Sequence, residues 1–178
     1  MRLSLILLLL FFGVPAALAG MAALGTPTPC VDRTAAAADA PALDWVALAK
    51  QAAAGGTPTL TVTEAQATAM ARQSLSGGEV PVTDVRVFFC PDGHAEVAGR
   101  VTLSGWTFNA LLEAGIDSAV APPMVEVRGV RVGSVPGVLT SWVVGLMPEG
   151  GRSELPLPAG AQVRIEDGRA VLTGGLPR

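Results

Sequence analysis

One histidine, two cysteines and fifteen carboxylates are the side chains from which this 178-residue chain would have to build chemistry. His94 sits in Pro91-Asp92-Gly93-His94, a turn sequence, where a solvated polar residue is a simpler account than a general base. A serine hydrolase would need His94 beside a nucleophile such as Ser134. Yet Gly133-Ser134-Val135-Pro136-Gly137 lacks the Gly-x-Ser-x-Gly spacing of a nucleophile elbow. The chain has no phosphate-cradling glycine loop, calcium loop or helix with paired histidines. The carboxylates are scattered: Asp84 and Glu126 alternate outward on strands, and Glu166 pairs with Arg169 across a tight turn. No enzyme is expected.

Cys30 and Cys90 are the only cysteines, and an even pair in an exported chain reads as a disulfide. Zinc takes four ligands, and one histidine is too few to complete an obvious set, so neither a metal nor a cofactor is expected.

Export is written at the N-terminus. No charge occurs between Arg2 and Asp32, the run Leu3–Phe12 is apolar, and Ala17-Leu18-Ala19 has the small residues of a cleavage box. Residues 1–19 are read as a signal peptide or membrane anchor, since Leu3 to Leu24 is also long enough to span a bilayer. Either way the remainder is extracytoplasmic, secreted or held at the outer face of the cytoplasmic membrane. Residues 20–38, rich in Ala, Thr, Pro and Gly, read as a flexible linker, and 39–178 as one domain. Loss of Arg2 with the signal takes the net charge from −3 to −4, which argues against nucleic acid as a partner.

The elements that would position these groups follow from periodicity. Asp39-Ala40-Pro41 opens a helix that Gly55-Gly56 ends. A second helix starts at Thr63, whose spacing to Gln66 forms a capping box, and carries Met70, Ala71 and Leu75 as its apolar stripe. Alternation then takes over. Val85, Val87 and Phe89 turn at Pro91-Asp92-Gly93 into Ala95, Val97, Gly99, Val101 and Leu103, a hairpin. Trp106 to Leu112 fits either a strand end or a short helix. Val125 to Val132 is a strand in which a bulge at Gly129 would keep four valines on one face. A last hairpin turns at Asp167-Gly168. The fold class expected is α+β: a curved antiparallel sheet packed against one or two helices, a single domain after the N-terminal segment.

Val138, Leu139, Trp142, Val143, Leu146 and Met147 repeat as a wide apolar helical stripe. The stripe is either a buried helix or a surface for an acyl chain or membrane, with Trp142, Val143, Leu146 and Met147 as candidate ligand-binding residues.

The order of segments resembles bacterial LmeA/YpmS-like exported proteins. The resemblance rests on Thr61-Val62-Thr63-Glu64 leading into a helix, the valine-rich hairpin, Val130-Arg131-Val132-Gly133-Ser134-Val135-Pro136, and the closing strand Ile165 to Leu172. It covers residues 58–174 and implies a domain like the tubular lipid-binding superfamily, a long helix along a curved antiparallel sheet. The implied role is non-catalytic binding of phospholipid or another amphiphile in a groove between helix and sheet. The alternative is a structural or protein-interaction module of the envelope with a filled core. The Cys30–Cys90 pair does not belong to that family pattern.

Overall fold

The computed structural model describes residues 20–33, 59–76, 80–103, 105–117, 123–135, 140, 151–154 and 162–174. The signal segment, the helix expected from Asp39 and the stripe carrying Trp142, Val143, Leu146 and Met147 lie outside the described residues.

Among the described residues, two antiparallel sheets and a helix make up the frame. Strand β1 (Thr59–Thr63) leads directly into α1 (Glu64–Leu75). There follow β2 (Val82–Phe89), β3 (Ala95–Leu103), β4 (Trp106–Asp117), β5 (Met124–Val132), β6 (Arg152–Glu154), β7 (Gln162–Glu166) and β8 (Arg169–Thr173). The larger sheet runs β2-β3-β4-β5-β6 and the smaller β1-β8-β7. The expectation of one sheet is therefore corrected to two. The terminal hairpin β7–β8 pairs with β1 rather than extending the meander.

Much of the local chemistry follows the sequence. Thr63 caps α1 with a complete capping box: its hydroxyl accepts from Gln66 N while Gln66 Oε1 accepts from Thr63 N. Trp106 to Leu112 is strand, not helix. In β5, Gly129 faces Glu113 whereas Val127 faces Ala114, so Arg128 is the extra residue of a bulge. That shift puts Val125, Val127, Val130 and Val132 opposite Ile116, Ala114, Leu112 and Ala110, on a single face. In the last hairpin Arg169 donates to Glu166 at 2.9 Å.

The core lies between one face of the larger sheet, the smaller sheet and α1. Val62, Val87, Phe89, Ile165 and Ala170 are buried there, with Leu60, Ala67, Ala71, Val97 and Leu172 packed around them. Helix α1 departs from the expected stripe: Ala67 and Ala71 face the core, but Met70 is 50% exposed. The inward side is shared with polar residues because α1 covers an open sheet edge. Phe89 N–H donates to Glu64 Oε1 (2.9 Å), Val87 N–H to Thr68 Oγ1 (2.9 Å), and Arg72 Nε to the Val85 carbonyl (3.0 Å). Helix positions four apart advance about 6 Å, close to the ~6.6 Å between alternate strand residues, so three successive rungs are met. An edge that would otherwise offer free backbone groups is closed.

Candidate functional site

The opposite face of the larger sheet is covered by residues 20–33, the segment read as linker. Residues 20–23 close one helical turn, with Leu24 N–H bonded to Gly20 O, and the chain then runs as an extended strap. It is tied down at several points. Ser134 N–H donates to Met21 O, Ser134 Oγ to Leu24 O, Asn109 Nδ2 to Gly25 O, and an Arg131 guanidinium nitrogen to Thr28 O. Gly133 has φ +51°, and a Cβ there would strike the Met21 and Ala22 carbonyls, so glycine permits the approach. Ser134, a possible nucleophile by residue type, is a docking residue for this strap. At its far end Arg33 bridges Glu64 and Asp167. Hydrogen bonding to Asp167, with the charge of Glu64, raises its guanidinium above the ordinary value.

The Cys30–Cys90 disulfide expected from the sequence is formed, with the Cα atoms 5.9 Å apart. It points to an oxidising, extracytoplasmic environment. Among the described residues no helix is long and apolar enough to cross a membrane.

Beside this disulfide lies a polar cluster that the sequence reading missed. Glu96 is 1% exposed. Its Oε2 accepts from Cys30 N–H at 2.5 Å and its Oε1 from Arg131 at 2.5 Å. His94 is not a solvated loop residue; it is 8% exposed. Its Nδ1 lies 2.6 Å from Asp92 Oδ1, and Nε2 faces Glu96 Oε1 at 3.8 Å. Cys90 N–H bonds the His94 carbonyl, which fixes the hairpin loop carrying both. Glu96 lies on the face of β3 opposite that of Val97, and only the strap makes that face interior. The disulfide was the signal that could have revealed it.

Along the same sheet face, away from the disulfide, the strap and sheet leave an open groove of ≈ 210 Å³. Phe88 and Ala98, with the backbone at Gly99 and Ala110, contribute its floor, Pro27 and Pro29 its wall, and Arg86, Arg100, Asp84 and Asn109 its polar rim. Phe88 is 5% exposed. Asp84, at the register shift of β2, has φ +53°, an uncommon backbone state for a non-glycine residue, and pairs with Arg100 at 3.2 Å. Arg86 has no ion-pair partner among the described residues.

His94 and Ser134 are not brought together. His94 precedes the β3 end aligned through Ala114 with Val127, whereas Ser134 lies beyond the other end of β5. Seven strand residues at about 3.3 Å each separate them by roughly 20 Å. No known family model matches the chain, and no match is found among curated proteins or solved structures.

Proposed function

We propose that the protein is a non-catalytic, extracytoplasmic binding module for an anionic amphiphile, such as a phospholipid or fatty acyl phosphate. The observation that carries this reading is the groove: an apolar floor around Phe88 and a proline wall, with Arg86 and Arg100 at its rim. Acyl methylenes leaving water for the floor would contribute about 0.8 kcal/mol each. The arginines supply planar donors for phosphate or carboxylate oxygens. The resemblance to LmeA/YpmS-like proteins supports the same class of ligand. The stripe of Trp142, Val143, Leu146 and Met147 remains part of the proposal as an additional apolar surface.

The N-terminal segment serves as a secretory signal or an anchor. Cleavage after Ala19 would leave Met21, the first strap residue bonded to the sheet face, in the mature chain. With the anchor retained, the domain would sit close to the outer face of the membrane.

The test is a titration with a medium-chain alkyl phosphate and with the alcohol of equal chain length. The proposal expects the phosphate to bind more tightly and Arg86→Gln to remove the difference. Equal binding of both, or none, would contradict it.

A structural or interaction module is the second reading. It is favoured by the tip of the β3–β4 hairpin, where Leu103 and Trp106 pair across the turn while 48% and 58% exposed. An exposed tryptophan of this kind suits a protein partner.

A further inference from the structure

We propose that the reduced protein binds Zn²⁺ through Cys30 Sγ, Cys90 Sγ, His94 Nε2 and a Glu96 carboxylate oxygen. The donor atoms of these four residues all lie within 4.8 Å of one another. Ligands about 2.0–2.3 Å from a tetrahedral zinc stand roughly 3.3–3.8 Å apart, so the set needs only a small contraction once the sulfurs separate. Two thiolates, an imidazole and a carboxylate form a donor set of the type zinc favours.

Two independent features support the assignment. The Asp92 carboxylate lies 2.6 Å from His94 Nδ1, and Nε2 faces Glu96 Oε1 at 3.8 Å. This is the outer-sphere arrangement that fixes metal-binding histidines. Charge balances within the inner set, the exposed Asp92 carboxylate being left to solvent. Two thiolates and Glu96 carry three negative charges, and the divalent ion with Arg131 carries three positive ones. Arg131 already contacts Glu96 Oε1 and would remain as its outer partner. The cluster is buried except at Cys30, which is exposed and gives a reductant access to the bond.

The chemistry is a disulfide–metal exchange. An external dithiol donates two electrons and two protons to the Cys30–Cys90 bond and leaves as its own disulfide. Zinc then displaces the two thiol protons to solvent. Disulfide and metal are mutually exclusive, so oxidation releases the ion. Cys30 ties the strap to the sheet in either state, through Cys90 and Glu96 when oxidised and through the metal when reduced.

The experiment reduces the full chain with a phosphine, which adds no competing thiol, and titrates it with Co²⁺ followed by Zn²⁺. The expected result is a one-to-one tetrahedral cobalt spectrum with thiolate charge-transfer bands, bleached by zinc and absent from the oxidised protein. His94→Gln and Glu96→Gln should each weaken binding by at least about tenfold, and Asp92→Asn by about 10- to 100-fold. No spectrum, whether the reduced chain stays folded or unfolds, would overturn the proposal. So would a spectrum unchanged by both His94→Gln and Glu96→Gln, which would mean the cysteines alone hold the metal.

Discussion

Thr68 Oγ1 accepts the buried Val87 N–H at 2.9 Å, and this bond is the middle rung of a polar ladder joining a helix to a sheet edge. Glu64 and Arg72, four residues to either side, make the flanking rungs. Helix α1 is thus selected for hydrogen-bonding groups where a core helix would carry leucines.

Thr68→Val keeps the shape and removes the acceptor, leaving the Val87 amide buried and unpaired. The expected loss is about 1–3 kcal/mol in urea unfolding. Thr68→Ser should retain most of the stability. Equal losses in the two variants would show that the methyl group, not the hydroxyl, matters.

Glu96 and Arg131 predict an asymmetry. The carboxylate is buried whereas the arginine side chain is 42% exposed. Arg131→Met strands a buried charge and should destabilise by about 3 kcal/mol. Glu96→Gln leaves a cation that water can reach, and its amide oxygen still accepts from Cys30 N–H, so a loss of about 1 kcal/mol is expected. Chemical denaturation of both variants orders them, and the reverse order would contradict the burial argument.

The strap should respond to backbone change at Gly133. Gly133→Ala places a Cβ against Met21 and Ala22 at a positive φ. It should destabilise by more than about 1 kcal/mol. Hydrogen exchange should also quicken at Ser134, whose amide bonds Met21 O. Unchanged exchange there would mean the strap docks without this contact.

Sequence separation across the disulfide is 60 residues. Its reduction in the absence of metal should lower stability by about 4 kcal/mol by the chain-entropy relation. Differential unfolding of oxidised and reduced protein measures it. A difference near zero would mean that the hydrogen bonds of the strap alone suffice.

What the sequence displayed was local pattern. Thr63 with Gln66 announced a cap, Asp167-Gly168 a turn, and Gly129 a bulge, because each depends on residues a few positions apart. Cysteine count and the apolar leader together announced the disulfide. The pairing of β1 with β8 was not legible, since nothing in either strand names a partner about 110 residues away. Nor was the strap: residues 20–33 carry no periodicity, and docking depends on backbone groups meeting Asn109, Arg131 and Ser134. Glu96 and His94 were missed for that reason. Their burial is conferred by a distant segment, whereas the turn sequence around His94 read as solvated and nothing local singled out Glu96. The polar side of α1 was hidden too, because an apolar stripe was sought where a sheet edge required donors and acceptors.

The groove beneath Pro27 and Pro29 is the site proposed for an anionic amphiphile. The most direct measurement is native mass spectrometry of the protein isolated from a bacterial envelope fraction, followed by organic extraction, alongside Ala98→Trp. That substitution fills the groove from its floor. A stoichiometric anionic lipid adduct is expected on the wild type and none on folded Ala98→Trp. A wild-type protein that stays free of adduct after incubation with envelope lipids, or an adduct that survives the substitution, would contradict it.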